Sequence, residues 1–356
     1  MKILHCADLH LDSSLRSNLP TAKSRERKKE IVNAFCRLVD FAKKNKVTAV
    51  IIAGDLFDTN RMLLSTSDLV LGQIESCQDT DFLYLCGNHD AGKSLAACDL
   101  PKNLKLFNDR WTEYSYGNVS VLGVELTGEN CRHIYGSLQL DKAKFNIVTM
   151  HGELSTASGE DAVNRFQLAD KGIDYLALGH YHSYDSGALD KKGIWCYPGC
   201  LEGRGFDECG DKGFVLLEIA EDNSFKYDFV KHSVRNIAEI EVDISGISDT
   251  ALMLNAIETA VDGLTADTML KVVLKGGVSA DARKDLEFFE KHLNDRFWFA
   301  KVRDNTHIEL NPDDYKNDIS LKGEFIRAVL SAGLAKEECD KVIECGLAAL
   351  SGQEVL

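Results

Sequence analysis

The chain has 356 residues, 44% hydrophobic and 27% charged, with 41 basic against 56 acidic side chains for a formal net charge of −15. At ~150 residues per domain this length suggests about two domains, and the composition excludes whole-chain disorder or a collagen-like repeat. No run approaches the ~18 apolar residues of a membrane-spanning helix. A polyanion would be repelled at long range except at a local basic patch.

Residues 2–7 read as an apolar strand that stops at a polar cluster. The opening segment is too short for a signal-peptide core and lacks a small-residue cleavage site, so a cytoplasmic location is expected. A helix is predicted over 21–44, with Ile31, Phe35, Leu38 and Ala42 on one face. Next come a fully apolar strand at 47–53, a helix at 62–76 and a strand at 82–86. Short strands are predicted at 119–124, 145–150 and 174–178. This alternation predicts an α/β layer arrangement. Near residue 235 the composition changes. Strands at 238–244, 269–275 and 297–303 with helices at 249–261 and 280–293 predict a compact α+β unit. Phe288, Phe289, Trp298 and Phe299 are expected in its core. Residues 306–320 read as a linker, followed by amphipathic helices at 321–331 and about 335–350. The domains are thus expected at 1–235, 236–305 and 306–356. The eleven cysteines include no C-x-x-C pair, and reduced, mostly buried thiols are expected.

Five short motifs each end a predicted strand: Asp8-Leu9-His10, Gly54-Asp55-Leu56-Phe57-Asp58, Gly87-Asn88-His89-Asp90, His151-Gly152-Glu153 and Gly179-His180-Tyr181-His182. In an extended segment residues i and i+2 point the same way, so Asp8 and His10 would share one ion and His180 and His182 one cavity. The glycines before Asp55, Asn88 and His180 would allow turns in which a Cβ would clash. Carboxylate, imidazole and amide ligands suit Mn²⁺, Fe²⁺ or Zn²⁺. Asp55 could bridge two ions, and two ions ~3.5–4 Å apart clamp an in-line phosphoryl displacement. Any one motif alone is more often a structural turn; five in order, holding five of the ten histidines, are not.

The set resembles the calcineurin-like metallophosphoesterase family, whose pattern runs D-x-H, G-D-x-x-D, G-N-H-[DE], a histidine, then G-H-x-H. Tyr197-Pro198-Gly199 followed by Glu202-Gly203-Arg204-Gly205-Phe206-Asp207-Glu208 resembles the double-strand-break repair exonuclease branch, the SbcD and YhaO-like enzymes. The resemblance covers residues 8–208. It implies a four-layer α/β/β/α sandwich with a smaller α+β capping domain and a C-terminal helical tail. It implies two divalent metal ions, with Mn²⁺ preferred. Asp8, His10, Asp55 and His182 would hold one ion, and Asp55, Asn88, His151 and His180 the other. His89 would be the acid at the leaving oxygen, Asp90 would orient His89 or support the turn, and Asp58 would be a catalytic support or, equally, a loop carboxylate or helix cap. The implied activity is a DNA exonuclease and endonuclease working with an SbcC-type coiled-coil ATPase, with a homodimer as the family's habit.

Residues 11–46 carry ten basic and four acidic side chains, among them Arg16, Lys23, Arg25, Arg27, Lys28 and Lys29. They either track a phosphate backbone or form the solvated face of a helix. Arg204 is expected on the substrate side, with Asp207 or Glu208 as its alternative partner. From residue 306 onward there are five basic and ten acidic residues, which suits a protein partner or simple intramolecular packing better than DNA. Two other readings stay open: a phosphodiesterase of small diesters or cyclic nucleotides, and a catalytically weak scaffold for DNA ends or the ATPase.

Overall fold

The computed structural model describes residues 1–15, 19–58, 63–90, 99–279, 282–309 and 315–350. In chain order the first unit contains β1 (Lys2–Cys6), α1 (Thr21–Asn45), β2 (Ala49–Ala53), α2 (Leu64–Glu75), β3 (Asp81–Leu85), β4 (Leu104–Leu106), β5 (Thr112–Tyr116), β6 (Val119–Gly123) and β7 (Phe145–His151). It continues with β8 (Glu153–Ser155), β9 (Ala162–Asn164), β10 (Tyr175–Gly179), β11 (Asp185–Ala188), β12 (Ile194–Tyr197), β13 (Gly213–Ile219) and β14 (Phe225–Lys231). Two six-stranded sheets result, ordered β14-β13-β1-β2-β3-β4 and β11-β12-β10-β7-β6-β5.

The apolar strands are buried on both faces, so alternate residues feed different cores. Ile3, Ala49, Ile51 and Leu83 of the first sheet pack against Val121, Ile147, Tyr175 and Ala177 of the second. The opposite face of the first sheet, including Leu4, Val50, Ile52 and Phe82, packs against Phe35, Leu38 and Ala42 of α1 and Val70 and Ile74 of α2. The outer face of the second sheet is covered more thinly, by residues such as Tyr135 of a single 3-10 turn and Leu168 of a four-residue helix. The architecture is therefore the expected α/β/β/α sandwich, with one slender helical layer.

Parallel pairing of β1 with β2 and β2 with β3, and of β7 with β10, places the carboxyl ends of these five strands at one edge of the sandwich. The motifs emerge there, at the end where open parallel sheets place their chemistry.

Ala238–Leu356 forms the second unit. Its three-stranded sheet joins Ile237–Asp243, Met269–Lys275 and Phe299–Asp304, with the last two parallel. Phe289 and Leu293 of the helix Leu286–Arg296 and Met253 and Ile257 of Thr250–Ala260 fill its core. Helix Leu286–Arg296 starts later than its pattern predicts because Asp285 caps it, accepting a hydrogen bond from Phe288 N. Phe289 and Phe299 are buried as expected, but Phe288 is 45% exposed because it lies on the outer face of that helix. The predicted linker is tied down at both ends. His307–Ile308 pairs with Gly277–Val278, and Tyr315 packs with Ile326 and Ile343 of the terminal helices Leu321–Ser331 and Lys336–Leu350.

All ten described cysteines are free thiols, six of them buried. No helix among the described residues is long and apolar enough to cross a membrane.

Candidate metal centre

The loops after β1 and β2 run on beside each other. Asp8 N donates to Gly54 O, His10 N to Asp55 O and Leu11 N to Leu56 O. Asp8 (φ 53°), His10 (φ 45°), Asp55 (φ 52°) and His180 (φ 119°) all have left-handed backbone, which is uncommon for residues with a Cβ and clusters at functional sites. Asp8 and His10 thus face the same space through a contorted turn, not through strand alternation as their spacing predicts. The glycines behave as predicted. A Cβ on Gly54 would enter the His151 ring, one on Gly87 would strike the Asp55 carboxylate, and one on Gly179 would strike Ala53 O.

Donor atoms converge on two places. Asp8, His10 and His182 bring one set together, and Asp8, Asp55 and His151 a second, with all ligand atoms of a set within 4.8 Å of one another. Asp55 Oδ2 lies 3.6 Å from His10 Nε2 and 3.5 Å from His151 Nε2, between the two sets. Its other oxygen accepts a hydrogen bond from His89 N at 2.9 Å. Asn88 Oδ1 is 3.0 Å from His151 Nε2. The His180 ring stands edge-on to that of His151, 5.6 Å away, and His180 N donates to both Asp8 oxygens at 3.0 Å.

The far nitrogen of each central imidazole is occupied. His10 Nδ1 meets Asp58 Oδ1 at 3.0 Å, His182 Nδ1 meets Glu208 Oε1 at 2.8 Å, and His151 Nδ1 meets Ala53 O at 2.9 Å. Each Nδ1 is then the donor, and each Nε2 presents a bare lone pair. His10 and His182 Nε2 approach to 3.1 Å, and His151 Nε2 faces two oxygens. Such convergence of lone pairs and carboxylates needs positive charge at its centre.

The acid–base behaviour agrees. Burial, then the neighbouring Asp55, pushes the Asp8 carboxyl well above its ordinary value, and burial raises Asp55 as well. Burial pushes His151 down to about 4 and also lowers His10, so both rings are neutral at pH 7. The donor set fits two divalent cations.

Other candidates have clear placements. Asp90 supports the turn that carries His89: its carboxylate accepts from Leu56, Phe57 and Gly87 N at 3.2, 2.8 and 2.9 Å. His89 is half-exposed at the mouth, its Nδ1 3.8 Å from Asp58 Oδ1. A pocket of about 230 Å³ opens there, lined by His10, Asp58, His89, His182, Arg204 and Glu208 among others. Arg204 spends its Nε and Nη2 on Glu208, at 3.0 and 2.7 Å. Arg16 lies outside the described residues.

Arg27 departs from the basic-face expectation. It is fully buried and bonds Glu202, Glu30 and Gly203 O, anchoring the loop that carries Arg204. Arg25, Lys28 and Lys29 are exposed on the same helix. The sequence offers Glu208 only as a partner for Arg204, not as the carboxylate behind His182, and gives no sign of Lys212, whose buried ammonium donates to His182 O at 2.8 Å. The i, i+4 spacing of Arg204 and Glu208 was the available signal for the first.

Residues 1–184 match the family model described as calcineurin-like phosphoesterase. The chain belongs to that family. As a metallophosphoesterase it is a metal-dependent hydrolase of phosphoesters. It is similar to the Bacillus subtilis protein described as uncharacterized metallophosphoesterase YhaO, with 26% identity over 297 residues, 78% of this chain and 72% of that one. The DNA double-strand break repair protein Mre11 of Sulfolobus acidocaldarius is 22% identical over 373 residues, 97% of this chain and 94% of the relative. With Mre11 of Sulfurisphaera tokodaii the identity is 26% over 241 residues, and this chain spans only 60% of that relative's length.

Proposed function

We propose that this metallophosphoesterase is a DNA phosphodiesterase, acting as an exonuclease on duplex ends and an endonuclease on single strands, in company with an SbcC-type coiled-coil ATPase. The observation that carries the DNA reading is the correspondence with Sulfolobus acidocaldarius Mre11 over nearly the whole of both chains. That correspondence includes the α+β unit and terminal helices, for which an enzyme of small diesters has little need.

In this reading Asp8, His10, Asp55 and His182 hold one divalent cation, and Asp55, Asn88, His151 and His180 hold the second. Mn²⁺ suits this mixture of ligands, with Fe²⁺ and Zn²⁺ as alternatives. When bound, the cations supply charge neutralisation at the phosphodiester and a nucleophile at neutral pH. The chain's own groups do the rest. Asp58 and Glu208 fix the rotation and tautomer of His10 and His182. Asp90 fixes the turn that presents Asn88 and His89. His89, at the pocket mouth, gives its proton to the departing oxygen. The exposed Arg25, Lys28 and Lys29 of α1 offer cations to the phosphate backbone.

The test is hydrolysis by the purified chain with Mn²⁺, Zn²⁺ or no metal, comparing linear duplex DNA with bis-para-nitrophenyl phosphate and a cyclic nucleotide. Mn²⁺-dependent loss from DNA ends is the expected result. Turnover of the small diesters alone would transfer the substrate assignment to them, and no turnover with any metal would favour a scaffold.

A further inference from the structure

The loop after β12 reaches back into the metal centre through one chain of contacts. Glu208 is only 3% exposed. Its carboxylate accepts from His182 Nδ1 at 2.8 Å, from Arg204 N at 2.6 Å, and from Arg204 Nε and Nη2 at 3.0 and 2.7 Å. On its other edge the same guanidinium places Nη1 3.5 Å from Asp58 Oδ1, the oxygen that meets His10 Nδ1 at 3.0 Å. One arginine therefore joins the two carboxylates that stand behind the two facing histidines.

We propose that Arg204 and Glu208 are positioning residues for the cation held by His10 and His182, with Arg204 locking both supporting carboxylates in place. The proposal rests on the assignment of His10 and His182 as ligands. An imidazole pinned only by its coordinate bond swings about Cβ–Cγ; a carboxylate on Nδ1 fixes both its orientation and its tautomer. Arg204 also occupies both Glu208 oxygens, Oε1 through Nε and Nη2 and Oε2 through its backbone N, so the carboxylate stays behind the ring and does not displace it as a ligand. The frame is rigid. Lys212 holds the His182 carbonyl, and Arg27 Nε holds Gly203 O at 3.2 Å, beside Arg204 in the chain. This role differs from contact with a substrate phosphate, which would leave the guanidinium edge free.

The test uses the full chain with Mn²⁺ as the probe. Stepwise affinity is measured by calorimetry, and the number of bound ions and their pairing by metal analysis and electron paramagnetic resonance. The variants are Arg204→Met, Arg204→Lys, Glu208→Gln and His182→Asn, each checked by melting in excess chelator. Arg204→Met and Glu208→Gln should each weaken one Mn²⁺ by about 10- to 100-fold. The other ion should be untouched and the paired-ion signal should disappear. The double variant should be no worse than either single one. Arg204→Lys should recover little, because an ammonium cannot span two carboxylates as a fork does. Wild-type affinity for both ions in Arg204→Met and Glu208→Gln, with only KM for the diester raised, would overturn the proposal and return Arg204 to the substrate. If His182→Asn also binds both ions like the wild type, the ligand assignment itself fails, which is a separate result.

Discussion

His10 and His182 present their Nε2 atoms to one another across 3.1 Å while both Nδ1 atoms are held by carboxylates. Two lone pairs so placed repel unless a cation lies between them. Divalent cations should therefore stabilise the folded chain. At a free Mn²⁺ concentration 100-fold above its dissociation constant, each bound ion adds about 2.7 kcal/mol. Thermal melts in Mn²⁺ and in EDTA measure this; equal melting temperatures in the two would contradict the convergence argument.

The buried carboxylates give the metal-free protein an unusual pH dependence. Burial raises the Asp55 carboxyl above its unfolded value. A group raised in this way contributes stability below its unfolded pKa and loses that contribution as pH rises through its folded pKa. Asp55→Asn should therefore stabilise the chelated protein at pH 8, by about 1–3 kcal/mol, and do far less near pH 4. In saturating Mn²⁺ the sign should reverse. Denaturant melts of both proteins across pH check each half.

His89 is the proposed acid, so its effect depends on the leaving group. His89→Asn should retain both metal ions yet lower kcat on DNA by about 10²- to 10⁴-fold. With para-nitrophenolate, which departs without a proton, the decrease should be much smaller. Equal decreases on both substrates would assign His89 to binding instead.

The basic face of α1 divides into two kinds of residue. Arg27→Met removes one of the two arginines paired with the buried Glu202, leaving Arg37, and should cost about 1–3 kcal/mol of stability. Lys28→Ala and Lys29→Ala should leave stability nearly unchanged. Each should instead weaken duplex binding and flatten the logarithmic salt dependence by about 0.9 for every phosphate that the variant no longer neutralises. Salt titrations of DNA binding by the three variants, beside their melts, separate the two classes.

Most of the frame was legible in the sequence because the strands are uniformly apolar and end abruptly in glycine, aspartate or histidine. Ala49–Ala53 followed by Gly54-Asp55 is readable on both counts. The inward turn of Arg27 was hidden by the charges around it, although residue 27 stands four before Ile31 on the apolar stripe that continues through Ala34 and Leu38. The backbone of Asp8 and His10 could not be read: aspartate and histidine tolerate a left-handed conformation better than most residues, but the hydrogen bonds to the neighbouring loop that select it join positions far apart in the chain. Glu208 was visible only as a partner for Arg204, because its tie to His182 joins positions 26 residues apart.

Asp8 and Asp55 come from one sheet and His151 and His180 from the other, and the two groups meet over Ala7, Ala53 and Gly179. The ligand cluster therefore works as a caliper whose opening is set by the thickness of the apolar filling between the sheets. Extra bulk in that layer would displace the facing donor groups relative to one another and cost about 1–3 kcal/mol of stability through overpacking. Alanine-to-valine changes beneath the site, each adding two methyl groups, are thus predicted to retune its chemistry without replacing a donor residue.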